Sequence, residues 1–147
     1  ITNFSMIEKL YEASIAGVPI QMIVRGICCL IPGVKGMSEN IEVISVVDRY
    51  LEHPRVYHFT NGGTPKIYIS SADFMTRNIE NRVEVAAPIY DTDLQRQITE
   101  VFDIIWNDNV KARRLNGPIQ NAFIKNNSEP IRSQFEIFDY YKKEVER

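Results

Sequence analysis

The chain has 147 residues, 44% of them hydrophobic and 24% charged, a composition typical of one folded domain with a hydrophobic core. Its 17 basic and 19 acidic side chains give a net charge of −2, so no global field favours nucleic acid, and any anion site must be built locally from a few arginines. No apolar run is long enough to span a bilayer, and no signal peptide is visible.

The N-terminal third predicts a helix followed by two strands. Apolar residues recur at helical spacing in SMIEKLYEASIAGVP, with Ser5 as the N-cap and with Gly17 and Pro19 ending the helix. VPIQMIVRG predicts a short apolar strand that ends at Arg25, and IEVISVV predicts a second, β-branched strand. A helix, a tight turn and buried strands together indicate an α/β layer structure.

The remainder predicts a hairpin, a further strand and two helices. RVYHF and KIYIS flank a turn at Asn61 and Gly62, and RVEVAAPIY is the next strand. A helix follows in DTDLQRQITEVFDIIWNDN, with a capping box formed by Thr92 and Gln95, then a short strand or edge at KARR and a helix in PIRSQFEIFDYYKKEVER. We therefore expect one α/β domain over residues 1–147, with a mixed β-sheet flanked by helices.

The two cysteines, Cys28 and Cys29, are adjacent in the chain. Neighbouring cysteines rarely bridge each other, and no second pair exists to complete a zinc site. We expect buried, reduced thiols and therefore a cytosolic setting.

Arg25 stands where an α/β protein binds ligands. Followed by Gly26 at the carboxyl end of a strand, it either turns its guanidinium group into the crevice at the sheet edge or ends the strand on the surface. Its position alone favours neither alternative.

His53 is the stronger candidate of the two histidines. Neutral imidazole is the usual proton donor or acceptor near pH 7, although a lone histidine is more often structural. Pro54 favours extended geometry at His53, so that His53, Arg55 and Tyr57 share one face of a strand. His58 lies on the opposite face without comparable neighbours.

Two further groups of polar residues adjoin predicted strands. Arg82 and Glu84 alternate with valines, which fits a half-exposed strand, whereas in a buried sheet the charges would have to pair with each other or with a ligand. Ser70 and Ser71 either hold an anion or cap a helix that begins near Asp73, and capping is the favoured alternative.

Several long segments resemble the C-terminal region of the polyphosphate kinase family, which polymerises phosphate from ATP. They are VRGICCLIPGVKGMSENIEVISVVDRYLEHPRVYHF, NGG, IYISSADFMTRN and RVEVAAPI. The resemblance implies the second of two phospholipase D-like domains. HPR at His53–Arg55 stands where phospholipase D has HxK, and SSAD at Ser70–Asp73 stands where it has GSxN. Arginine at position 55 and aspartate at position 73 argue against lipid phosphodiester chemistry.

The resemblance also implies roles for individual residues. The nucleophilic histidine that becomes phosphorylated lies in the preceding domain, and a chain that begins with Ile rather than Met agrees with a fragment. His53 would reach the phosphates and act as general acid or base opposite that phosphohistidine. Arg25 would contact the nucleotide phosphates, and Arg82 and Glu84 would line the same tunnel. Magnesium ligands would lie upstream, so no metal ligand is expected here.

The implied function is reversible transfer of the terminal phosphate of ATP to inorganic polyphosphate. The expected partners are ATP, ADP and polyphosphate, without nucleic acid, in a cytoplasmic, homo-oligomeric full-length enzyme; peripheral membrane association stays open. The fragment alone would be inactive because it lacks the nucleophile. The alternatives are a phospholipase D-type phosphodiesterase with His53 in the HxK role, and a non-catalytic module that binds an anion or oligomerises through its aromatic final helix.

Overall fold

A computed structural model of the chain describes residues 1–116 and 120–146. The helices and strands follow in this order: α1 (Phe4–Ile15), β1 (Ile20–Ile23), β2 (Ile41–Val46), β3 (Val56–Phe59), β4 (Lys66–Ser70), α2 (Thr76–Asn81), β5 (Ala86–Ile89), α3 (Thr92–Trp106), β6 (Ala112–Asn116), β7 (Gln120–Phe123) and α4 (Ser133–Val145). The predicted α/β class is confirmed. Among the helices of the described residues, none is long and apolar enough to cross a membrane.

The strands form two sheets. In the first, with strand order β1-β2-β6-β7, β1 and β2 run parallel, and β6 and β7 are added antiparallel. This is the mixed sheet that the sequence predicts. The second sheet is an antiparallel meander of β3, β4 and β5. The strand predicted at KARR is confirmed as β6, which pairs directly with the central strand β2.

The two faces of β2 pack against different helices. One face contributes to a core with α1, and the other contributes to a core with the C-terminal end of α3. The buried members of the first core are Ile7, Leu30, Ile41 and Val43, and those of the second are Ile44, Val46 and Ala112. Burial on both faces explains why four of the six residues of β2 are β-branched: Ile41, Val43, Ile44 and Val46.

The predicted hairpin is confirmed between β3 and β4, where Phe59 pairs with Lys66. Its connection contains a short turn in which Asn61 and Gly62 have φ values of +45° and +63°. Left-handed backbone is tolerated by glycine and, among other residues, most readily by asparagine, so these two residue types suit the turn. The hairpin fixes the register that later brings residues before β3 beside residues after β4.

Both predicted helix caps are wrong by one or two positions. Asn3, rather than Ser5, caps α1, and its side chain accepts a hydrogen bond from a first-turn backbone N–H at 3.0 Å. Asp91 caps α3, whereas Thr92 is already helical and the Gln95 side chain donates to the carbonyl of Ile89. In each case a carboxamide or carboxylate just upstream satisfies the free N–H groups first.

The expectation of two buried thiols is only partly met. Cys28 is half-buried and its Sγ donates to the carbonyl of Leu30 at 3.4 Å, while Cys29 is exposed; both are free thiols. Burial raises the pKa of the Cys28 thiol. The strand ends at Ile23, so the two cysteines lie in irregular chain beyond the sheet rather than inside it.

One buried carboxylate joins three elements of the fold. Asp108, which is 1% exposed, follows α3. Its Oδ1 accepts hydrogen bonds from the backbone N–H groups of Val110, Lys111 and Ala112 at 2.9, 2.6 and 3.0 Å, and its Oδ2 accepts from that of Ser133 at 2.8 Å. Burial raises the pKa of Asp108, but these donors outweigh it and hold the pKa below its ordinary value. The starts of β6 and α4 are thereby fixed to the end of α3.

Replacing Asp108 by alanine leaves four backbone donors without their acceptor. We expect Asp108→Ala to lower the free energy of unfolding at pH 7 by about 3 kcal/mol, measured by urea denaturation. The matched control is Asp103→Ala, which removes an exposed carboxylate of α3 and should change it by less than about 0.5 kcal/mol. Equal losses in the two variants would contradict the role of Asp108.

The pH dependence gives a second readout of the same interaction. Because the folded pKa of Asp108 is depressed, its stabilisation is complete above the unfolded pKa of about 3.9 and is lost as the pH falls through the lower folded value. As the pH is lowered from about 5 to about 2, a range that spans this reference pKa, the free energy of unfolding should therefore fall less steeply in Asp108→Ala than in the unmodified chain.

Candidate functional site

Three ionisable side chains meet where β3 begins and β4 ends. The hairpin register pairs Val56 with Ile69, so the residues before β3 lie beside those after β4. Arg55 donates from Nε to Asp73 Oδ1 at 2.8 Å, and its Nη2 lies 2.8 Å from His53 Nε2. The same Oδ1 of Asp73 is 3.6 Å from His53 Nε2, beyond hydrogen-bond length. We call these three residues the histidine cluster.

Arg55 determines how His53 holds its proton in this arrangement. A guanidinium group has only donors, so Nε2 of His53 accepts, and the neutral imidazole carries its proton on Nδ1. The hydrogen bond from Arg55 holds the pKa of Asp73 below its ordinary value, and Asp73 in turn raises the pKa of Arg55. The His53 side chain is 50% exposed, so the imidazole is accessible to a ligand.

Two stacked aromatic rings hold together the chain segments that carry the histidine cluster. The rings of Tyr57 and Phe74 stack with centroids 5.0 Å apart, and the Tyr57 hydroxyl donates to the carbonyl of Ala72 at 3.0 Å. Burial raises the pKa of Tyr57, so the phenol stays neutral and keeps donating. The segment that carries Asp73 is therefore held to β3 by both packing and a hydrogen bond.

A second carboxylate, Glu84, is held by neighbouring polar side chains. Ser71 Oγ donates a short hydrogen bond to Glu84 Oε2, and Asn78 Nδ2 donates to Oε1 at 2.7 Å. These donors, Ser71 first, hold the pKa of Glu84 below its ordinary value, with smaller contributions from the charges of Arg82 and Arg55. Glu84 thus links the exposed Arg82 electrostatically to the histidine cluster.

Two local predictions about these residues are wrong. Arg82 and Glu84 precede β5, which begins at Ala86, because α2 extends to Asn81 and leaves a short extended connection. Neither serine of SSAD caps that helix, which begins at Thr76 after an N-cap residue without a side-chain hydrogen bond. Instead, Ser70 Oγ accepts from the N–H of Ala72, and Ser71 Oγ accepts from the N–H of Val85.

Arg25 lies on the first sheet, in an open cleft of about 510 Å³. The cleft is at the carboxyl ends of the parallel strands β1 and β2, the place where open α/β sheets bind ligands. Three of its side chains are cations and none is an acid. The lining residues are Arg25, Gly26, Cys28, Ser45, Val47, Lys111, Arg113, Leu115 and Phe123. We call this the basic cleft.

A smaller cavity of about 270 Å³ adjoins Arg25 on its other side. Residues 46–52 line it, so it follows the chain from the end of β2 to the residue before His53. Within it, Asp48 accepts from Nε and Nη2 of Arg132, both at 2.7 Å, and this pairing holds the pKa of Asp48 below its ordinary value. Arg25 therefore lies between the basic cleft and the segment that leads to the histidine cluster.

The structure groups the predicted residues into two places. His53 lies with Arg55 and Asp73, and Glu84 interacts electrostatically with Arg55 and Arg82, whereas Arg25 belongs to the basic cleft. His58 is exposed on β3 and pairs with Ile67 across the sheet, outside the histidine cluster.

Sequence reasoning missed two cations of the basic cleft, Lys111 and Arg113. The signal was present in the segment KARR, where these residues alternate and therefore share one face of a strand. What the pattern lacks is the pairing of β6 with β2, which places that face beside Arg25.

Comparisons with known proteins give one consistent result. Residues 1–134 match the family model described as Polyphosphate kinase C-terminal domain 2. The chain is 49% identical over 143 residues to the polyphosphate kinase of Escherichia coli (strain K12) and 51% identical over 143 residues to that of Vibrio cholerae. Both alignments cover 97% of this chain but 21% and 20% of the relatives, so the chain spans about a fifth of their length.

The fold agrees with a solved relative. The crystal structure of the polyphosphate kinase from Porphyromonas gingivalis matches with a TM-score of 0.96 and 44% sequence identity. The match covers 99% of this chain and 22% of that chain. At this identity the likeness extends beyond architecture to much of the sequence.

The tautomer of His53 provides a direct test of the histidine cluster. In the 147-residue chain, which has two histidines, ¹⁵N NMR of the imidazoles should show the neutral His53 protonated on Nδ1. Arg55→Ala removes the donor to Nε2 and should change the ratio of tautomers by roughly threefold to tenfold. His58 is the internal control, and a His53 spectrum unchanged by the substitution would rule out the Arg55 contact.

Proposed function

Because the chain belongs to the polyphosphate kinase family, we propose that it forms one side of the site where the terminal phosphate of ATP is transferred reversibly to inorganic polyphosphate. In this proposal residues 1–147 are the second phospholipase D-like domain of a longer enzyme, preceded by N-terminal, middle and first catalytic domains. The observation that supports it most is the histidine cluster, which lies within the residues that match the family. A buried, fully paired histidine would not fit this function, whereas His53 is half-exposed.

His53 is proposed as the supporting histidine opposite a phosphohistidine supplied from outside this chain. In the geometry described here, Nδ1–H of the neutral imidazole is the group available to donate to a phosphate oxygen or a leaving oxygen. A phosphate bound to Arg55 would compete with Nε2 for the guanidinium donors. Nε2 could then bind a proton and pair with Asp73, which is already only 3.6 Å away. Arg55 and Asp73 are thus positioning residues for both protonation states.

Arg25 and Arg82 are proposed to neutralise the phosphates. Phosphoryl transfer depends on positioning and charge stabilisation more than on covalent help, and a guanidinium fork suits phosphate oxygens. Arg25 faces two adjoining cavities, and Arg82 is exposed two residues before Glu84. Glu84 is a carboxylate and would repel phosphate, so its proposed contribution is to fix the residues before β5 through its hydrogen bonds with Ser71 and Asn78.

Magnesium is implied by the family, but the side chains that the structure describes do not fit a site for it. Within residues 1–116 and 120–146 no group of three or more His, Cys, Asp or Glu side chains could hold a metal ion. Asp48 and Asp73 are each engaged by an arginine. We therefore assign the magnesium ligands to the upstream part of the enzyme and assign no step of this chain's chemistry to the metal.

The remaining features of the whole enzyme are proposed on the family relationship alone. ATP, ADP and polyphosphate are its substrates and products, without nucleic acid, and it is cytoplasmic and homo-oligomeric. The phospholipase D-type phosphodiesterase is less well supported because Arg55 uses its donors on Asp73 and His53. The alternative of a non-catalytic module that oligomerises through α4 is supported by one observation, the 69% exposure of Phe138 in that helix.

The site assignment predicts large losses of turnover in the full-length enzyme. His53→Ala should lower phosphate transfer from ATP to polyphosphate by about 100-fold or more, the usual effect of losing a general acid or base. Arg25→Ala should cause a loss of similar order through weaker phosphate binding and positioning. Both variants should keep the thermal unfolding midpoint of the unmodified enzyme, because both side chains are exposed.

His58→Ala is the matched control for these substitutions. It removes an imidazole from the same hairpin, five residues away along the chain but outside the histidine cluster, and should retain nearly full turnover. Near-normal turnover in both His53→Ala and Arg25→Ala would refute the proposed site.

A further inference from the structure

The basic cleft contains cations that the histidine cluster does not use. Lys111, Arg113 and Leu115 are alternate residues, and all three line the cleft. Arg114, between them, projects from the opposite face of β6, where its Nη2 lies 3.6 Å from Glu42. The alternation of the strand therefore divides the basic segment into a cleft-facing pair and an outward-facing arginine.

The cleft-facing cations form a row with Arg25 across the sheet. Arg113 pairs in register with Ser45 of β2 on one side and with Phe123 of β7 on the other, and both neighbours also line the cleft. Arg25 follows β1, the strand paired with β2, at the same end of the sheet. The cations thus lie at β1 and β6, with Ser45 of the intervening strand β2 between them in the same cleft.

An aromatic ring, rather than a carboxylate of the described residues, holds Arg113 in place. Its guanidinium carbon lies 4.1 Å from the centroid of the Phe123 ring, a cation–π contact that orders the fork and leaves its positive charge uncompensated. Lys111 Nζ lies 4.0 Å from Asp48 Oδ1, but Arg132 already binds that carboxylate through two donors. The charge of Lys111 is therefore only weakly compensated.

We propose that the basic cleft binds a segment of inorganic polyphosphate, with Lys111 and Arg113 extending the phosphate contacts that begin at Arg25. This inference rests on the proposed function and assigns to it the residues that hold the polymeric substrate. A condensed phosphate chain fits three cations and no acids, and the volume of about 510 Å³ is within the range of small-ligand sites. Arg113 lies over the Phe123 ring, so the guanidinium group and the ring line the cleft together.

The test compares cleft-facing and outward-facing cations in the full-length enzyme. Equilibrium binding of inorganic polyphosphate is measured without nucleotide for Lys111→Gln, Arg113→Gln and the control Arg114→Gln, which removes one positive charge from the same strand. We expect Kd to rise by about threefold to tenfold in each cleft variant and by less than about twofold in the control, because surface charge alone contributes little. KM for polyphosphate should rise with Kd, and KM for ATP should rise less.

Each outcome separates this inference from the proposed function. An enzyme that transfers phosphate but binds polyphosphate equally well in all three variants overturns the inference and leaves the function standing. An equal loss of affinity in Arg114→Gln, or a rise in KM for ATP alone, also overturns it. If the cleft variants weaken polyphosphate binding but the protein transfers no phosphate, the inference is supported and the proposed function is refuted. Unchanged unfolding midpoints show that the variants remain folded.

Discussion

The buried carboxylate of Asp108 is the interaction on which the arrangement of the C-terminal third depends. It gathers backbone N–H groups from the start of β6 and from the first residue of α4, so one side chain sets where both elements begin. The ion pair of Asp48 with Arg132 ties the residue preceding α4 to the end of β2. Asp108 thus fixes where β6 begins, the backbone pairing with β2 holds β6 in the sheet, and the cations of the basic cleft depend on that position.

The cations and carboxylates near the candidate site are ordered before any ligand binds. Arg55 is held by Asp73, Arg113 by the Phe123 ring, and Glu84 by Ser71 and Asn78. Such preorganisation matters for phosphoryl transfer, because groups already in place need little reorganisation as charge develops. The partners differ in kind: a carboxylate partner positions Arg55 at some cost in net charge, whereas an aromatic partner leaves Arg113 fully positive.

Local patterns in the sequence predicted most elements correctly. Helical periodicity predicted α1 and α3, β-branched runs predicted the strands, and Asn61 with Gly62 predicted the hairpin that assembles the histidine cluster. The caps were misplaced because several hydroxyl and carboxyl side chains compete for the same N–H groups within one turn. The division of the strands between two sheets and the pairing of β6 with β2 are long-range events, and no local pattern specifies them.

The residues of the candidate site were likewise predicted where the signal is local and missed where it is long-range. Arg25 was predicted from its position at the end of a strand, and the shared face of His53 and Arg55 was predicted from alternation; both signals are local. Lys111 and Arg113 were not predicted, because their alternation indicates a shared face but only the pairing of β6 with β2 places that face beside Arg25. The partners of Glu84 come from an adjacent loop and from a helix, and only the folded chain reveals that they saturate it.

The central proposal is that residues 1–147 contribute a supporting histidine to a phosphotransferase whose nucleophile lies elsewhere. The most direct measurement is to incubate the full-length protein with ATP and to map acid-labile phosphohistidine by mass spectrometry. The phosphate should be found on a histidine outside residues 1–147, with His53 and His58 unmodified. Phosphate on His53, or no phosphohistidine at all, would contradict the proposal.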